Sequence, residues 1–234
     1  MKYFHTIKLN LLVYQIYFVL ILILGSSQTI IFAQAQQTRF LVIKNVRVFD
    51  GERVLPRATV VVENGKIVSV KKRTKIPDGA EVIDCVGMTL LPGLIDAHTH
   101  ELNRRPLLKQ ALMFGVTTDL EMFSPNPKFA AEMRREQAEG KATDRTDLFS
   151  AGIVVTAPGG HGTQFRVPIP TITDPAQAQK FVDARIAEGS DYIKIILEAG
   201  TVRFPLKGNL NDETLRAVIA ASKRRGKLAV VHVS

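Results

Sequence analysis

Leu91-Pro92-Gly93-Leu94-Ile95-Asp96-Ala97-His98-Thr99-His100 reads as a turn, a short apolar strand and a pair of histidines at its end. Pro92 and Gly93 punctuate the chain ahead of the strand. Side chains alternate along a strand, so His98 and His100 share one side, and Asp96 has the same parity. Two imidazoles on one face at the end of a strand can reach one divalent ion, at about 2.0–2.1 Å per nitrogen for zinc. A lone His-x-His pair fits a solvated or core role equally well. The setting favours ligation, because the pair closes an apolar strand that follows a β-rich stretch.

Downstream, the rhythm alternates. Strand patterns at 94–99, 116–122, 148–155 and 192–197 are each followed by a helical pattern, at 105–114, 127–140, 174–188 and 211–225. A fifth strand pattern covers 228–233. Asp174 followed by Pro175 is an N-cap signal, and Gly115 and Gly226 stand just past two of the helices. Such alternation predicts a parallel sheet with helical crossovers, either a doubly wound sheet or a (β/α)₈ barrel. No dinucleotide fingerprint follows the first strand, which weakens the doubly wound alternative. Barrel enzymes build their sites at the C-terminal ends of the strands, where His98 and His100 stand.

Upstream, residues 36–90 read as a small β-domain of short antiparallel strands. Asn64-Gly65 lies between Ala58-Thr59-Val60-Val61-Val62 and Lys66-Ile67-Val68-Ser69-Val70. An Asn-Gly pair between β-branched runs is a hairpin signal, because both turn residues tolerate positive φ.

Residues 1–35 read as an address. Lys2 and Lys8 precede an apolar stretch from Leu11 to Leu24, and Ala33-Gln34-Ala35 offers small residues for a signal peptidase. That order describes a secretory signal and an exported, periplasmic or extracellular protein. Ile30, Ile31 and Phe32 extend the apolar character, so an uncleaved membrane anchor is the alternative.

The formal charge of +9 arises from 31 Lys and Arg against 22 Asp and Glu. The excess is spread along the chain, whereas nucleic-acid binders concentrate it on one face or in a motif. No nucleic-acid partner is expected. Cys85 is the single cysteine, so no internal disulfide can form. It sits in an apolar run, 82–86, and reads as a small hydrophobe.

Three further positions stand out. Lys194 lies inside the apolar run Tyr192-Ile193-Lys194-Ile195-Ile196, where an ammonium is costly unless it is paired, modified or able to snorkel to water. His232 closes Ala229-Val230-Val231, as a satisfied core residue or as a ligand. His161, in Pro158-Gly159-Gly160-His161-Gly162 after the third strand, fits either a substrate contact or an exposed imidazole on a flexible turn. Glu121, closing the second strand, carries a weaker signal.

The stretch 91–100 resembles the first barrel strand of the amidohydrolase superfamily. The run 58–70 resembles the small β-domain of its imidazolonepropionase and Xaa-Pro dipeptidase-like branch, and the likeness extends from about residue 40 to the end. The resemblance implies an α/β fold: an incomplete (β/α)₈ TIM-type barrel of about five strands over 91–234, preceded by a small β-sandwich-like domain. It implies two divalent ions, with Zn²⁺ expected, held by His98, His100, His232 and a CO₂-derived carbamate on Lys194. His161 would contact substrate. The activity implied is hydrolysis of a C–N bond in a small amide, cyclic amide or dipeptide. The family completes its site with a sixth-strand histidine and an eighth-strand aspartate, the general base, and neither has a counterpart up to Ser234. The expectation is therefore a truncated, inactive fragment that binds metal weakly and exposes a sheet edge. A non-catalytic exported metal-binding remnant is the rival reading.

Overall fold

The computed structural model describes residues 39–165, 167–200 and 205–233. The secretory-signal or anchor reading of residues 1–35 lies outside the described residues. Among the described residues, no helix is long and apolar enough to cross a membrane. The chain divides into two compact units between Leu90 and Leu91.

The first unit is a single five-stranded sheet. β1 (Phe40–Phe49), β2 (Val54–Glu63) and β3 (Lys66–Lys71) run antiparallel in the order β3-β2-β1. At the β2–β3 turn Asn64 and Gly65 take φ of 49° and 79°, as a tight primed hairpin requires. The Asn64 side chain accepts from the Arg39 N–H at 3.0 Å, and its own N–H donates to the Arg39 carbonyl at 2.9 Å. β4 (Glu81–Asp84) and β5 (Thr89–Leu90) instead pair with β1 in parallel. The sheet is thus mixed rather than wholly antiparallel, and the described residues of this unit form one layer rather than a sandwich. Its buried set is small, Val42, Val46, Val48, Ala58, Val60 and Val61, with Cys85 and Leu90 packed at the margin. Ile67, Val68, Val82 and Ile83 stay exposed.

The second unit is α/β. β6 (Leu94–Thr99), β7 (Val116–Glu121) and β8 (Asp147–Ser150) form a parallel sheet in chain order. β9 (Ile193–Leu197) and β10 (Ala229–Val233) form a parallel pair. The chain after β8 joins the two sets. The Val155 N–H donates to the Lys194 carbonyl at 2.8 Å, and the Ile196 N–H donates to the Val155 carbonyl at 2.9 Å. The third strand pattern, 148–155, is therefore interrupted at 151–154 and resumes as a bridge at Val155. Five parallel segments follow one another in chain order, and the described residues do not close into a barrel.

Four α-helices cross between them: α1 (Arg105–Met113), α2 (Pro127–Ala138), α3 (Ala178–Ala187) and α4 (Asp212–Arg224). In α4 the Asn211 side chain accepts from the Thr214 N–H at 2.7 Å, capping the first turn. Asp212 and Glu213 at the start and Lys223 and Arg224 at the end both complement the helix dipole. Asp174 caps a 3₁₀ turn, Pro175–Gln177, and the α-helix begins only at Ala178. A tight 3₁₀ turn is a common helix start.

Packing explains how β9 is used. Ile193 and Ile195 are almost fully buried with Val182 of α3 and Val218 and Ala221 of α4. Each such side chain contributes about 1.5–3 kcal/mol on burial. Side chains alternate, so Lys194 and Ile196 point the opposite way, away from the helices. Leu148 of β8 packs likewise with Leu108 of α1 and Met133 of α2.

Candidate metal centre

The side of the strands turned away from the helices lines a cavity of about 570 Å³. His98, His100, His161, Lys194 and His232 all line it, with Met122, Phe165 and Ile196 supplying apolar wall. Four of the chain's five histidines are thereby gathered around one space.

His98 and His100 come from the end of β6, with ring centroids 5.4 Å apart and tilted by 60°. Burial pushes both imidazoles below their ordinary pKa; next come Lys194 for His98 and His98 itself for His100. The neutral ring, which is the metal-binding form, is thus favoured. Asp96 does not line the cavity. The β6–β7 register shifts between Asp96 and Thr99, breaking the simple parity. The Asp96 carboxylate accepts from the His98 backbone N–H at 3.1 Å instead.

Lys194 is 3% exposed. Burial pushes its amine below the usual lysine range, and among the described residues no carboxylate lies within ion-pair distance. His232 stands opposite Ile196 in the β9–β10 ladder and so shares the side on which Ile196 and Lys194 lie.

His161 is set by its glycine loop. Gly159 and Gly162 take φ of 71° and 102°. A Cβ on Gly160 would lie 2.6 Å from Thr156 Oγ1 and 3.0 Å from the Ala157 carbonyl. The loop therefore lies too close to its neighbours for a side chain. The His161 ring meets Phe165 edge to face, with centroids 5.9 Å apart.

Glu198 completes the arrangement and carried no signal that singled it out in the sequence. Its Oε2 pairs with His161 Nδ1 and lies 3.3 Å from His232 Nε2. Strand alternation extended one step past Leu197 puts residues 194, 196 and 198 on one side, which would have found it.

Glu121 does not line the cavity. It is fully buried, and burial raises its pKa. Asp119, 1% exposed, is pushed up to about 6 by burial and then by Asp96. Asp119 stands opposite Leu148, which packs against α1 and α2, so these acids lie on the helix side of the sheet.

The donor set suits divalent cations. Imidazole nitrogens, a carboxylate and an uncharged buried amine are borderline-to-hard donors of the kind that hold Zn²⁺ and related ions.

No family model matches the chain. Over 61 residues it is 44% identical to a dihydroorotase of Mycobacterium tuberculosis, covering 26% of this chain and 13% of that protein. Over 199 residues it is 26% identical to an adenine deaminase of Listeria monocytogenes, covering 80% of this chain and 31% of that one. Among solved structures, a Xaa-Pro dipeptidase with methionine bound in its active site aligns with a TM-score of 0.66 at 22% identity, over 83% of this chain and 56% of that one. An Aspergillus niger ochratoxinase aligns with a TM-score of 0.65 at 17% identity, over 84% of this chain and 56% of that one. The chain thus spans about half the length of these structures and less of the curated relatives. In sequence over these stretches, and in fold over most of its length, the chain is similar to members of the amidohydrolase superfamily.

Proposed function

We propose that this chain provides the metal-binding strands of an enzyme that hydrolyses C–N bonds in small amides, cyclic amides or dipeptides. The observation that carries the reading is the convergence of His98, His100, Lys194 and His232 on one cavity. The five parallel segments are read as successive strands of a (β/α)₈ barrel, whose sites gather at the strand ends. Residues 1–35 are read as an export signal, with membrane anchoring as the alternative.

His98, His100 and His232 would hold two divalent ions, and Zn²⁺ suits the donors. Lys194 would bridge them as a carbamate. Its burial favours the uncharged amine, whose lone pair forms an N–C bond to CO₂ while one amine proton leaves to solvent. The product is an anionic oxygen donor in place of an unpaired buried amine. When bound, such ions supply Lewis acidity toward a carbonyl and lower the pKa of water. His161, facing the same cavity, would orient the substrate by hydrogen bonding. The apolar wall of Met122, Phe165 and Ile196 excludes bulk water and accommodates the body of a small amide.

The test is metal binding by the full chain, measured by equilibrium dialysis against Zn²⁺ with ion content read by mass spectrometry. Two ions per chain, with at least one lost in the His98→Asn/His100→Asn variant, support the reading. An ion content unchanged by that double substitution overturns it. A panel of dipeptides and cyclic amides, assayed with and without Zn²⁺, then identifies the bond class.

A further inference from the structure

Glu198 contacts two histidines at once: His161, which lies outside the metal set proposed above, and His232, which belongs to it. Its Oε2 is buried, and among the described residues it has no hydrogen-bond donor beyond the two imidazoles. One donor atom from each of His161, Glu198 and His232 lies within 4.8 Å of the other two. Tetrahedral ligation at about 2.1 Å needs donors roughly 3.4 Å apart, so small side-chain shifts close the set around an ion. The rings of His161 and His232 lie 5.3 Å apart, tilted by 39°. The three residues come from separate segments: the glycine loop, the end of β9 and β10. The loop lies against the backbone of Lys207 and Gly208, with the Lys207 N–H donating to the Gly159 carbonyl at 3.1 Å.

We infer that His161, Glu198 and His232 form an alternative seat for one divalent cation, distinct from the pair of sites built on His98, His100 and Lys194 and competing with them for His232. Two imidazoles and one carboxylate, with an open fourth position, select a first-row ion of the Zn²⁺ type over Mg²⁺ or Ca²⁺. Each imidazole has one available nitrogen directed at the carboxylate, so an ion seated here removes His232 from the other set. It also ties up His161, which faces the cavity. Occupation at high free metal is therefore inhibitory.

The inference is tested apart from the proposed enzyme by deleting the other set. In the full-length His98→Asn/His100→Asn variant, titration with Zn²⁺ alone should still fill one ion per chain. Titration with Co²⁺ alone should give the visible absorption of a four-coordinate ion. Adding Glu198→Gln, or separately His161→Asn, should weaken that ion at least thirtyfold while the melting temperature of the metal-free protein holds. If the double variant binds no ion, or if neither added substitution weakens the remaining ion, the inference is overturned. If instead the double variant holds as many ions as the unsubstituted chain, the proposed binuclear set fails and this seat stands. The two failures are thus separable.

Discussion

Lys194 and His232 sit one alternation apart on adjacent parallel strands: Lys194 is paired with Val230, and His232 with Ile196. Both project into one cavity from a strand pair whose other face is sealed by α3 and α4. The amine is thus held in a fixed place and poorly solvated, with no acid among the described residues to compensate it.

A buried amine without a partner lowers stability until it is modified or ligated. Lys194→Met is therefore expected to raise the melting temperature of the metal-free protein, by the equivalent of about 1–2 kcal/mol. The same substitution should weaken Zn²⁺ binding at least tenfold. Calorimetry of the metal-free protein and Zn²⁺ titration check the two signs separately, and a variant that loses both stability and affinity contradicts the account.

Gly160 has no room for a methyl group between Thr156 and Ala157. Gly160→Ala should cost about 1–3 kcal/mol by overpacking. It should also displace His161, seen as altered imidazole resonances in an NMR spectrum. Denaturant midpoints equal to those of the unsubstituted chain would contradict this.

Leu148 joins β8 to α1 and α2 and is 1% exposed. Leu148→Ala should destabilise by about 2–5 kcal/mol through lost burial and a residual cavity. Urea unfolding followed by circular dichroism gives the value directly.

Asp119 supplies a pH dependence. Its pKa is raised to about 6 in the fold from an ordinary 3.8. Between those values the folded state holds the extra proton, so stability falls as pH rises through the window. The contribution is on the order of 2–3 kcal/mol. Asp119→Asn should flatten the fall between pH 4 and 6 and raise the melting temperature at pH 7.5. Parallel pH profiles of the two proteins would refute the assignment.

Much of the second unit was legible because local signals agreed with packing. In α4 the Asn211 cap, the acidic first turn and the basic last turn all mark the same boundaries. Other features depend on register. The interruption at 151–154 is marked only by Gly152, whose φ of 63° leaves the strand conformation, among residues otherwise as apolar as the strand. The β6–β7 register shift moved Asp96 off the side that alternation assigned to it. The parallel pairing of β4 and β5 with β1 is set by long-range hydrogen bonds that a hairpin signal cannot reveal. Glu198 went unseen because a carboxylate just past a strand is ordinary on its own. Only the fold brings His161 and His232 to it.

β9 serves two masters with consecutive residues: hydrocarbon on one side, donor chemistry on the other. One residue inserted within β9, between Ile193 and Lys194, would turn the rest of the segment over, thrusting the ammonium among Val182 and Val218 and presenting isoleucine to the histidines. Within the strand, length changes keep this division of labour only in twos, whereas the loop before it can absorb them singly.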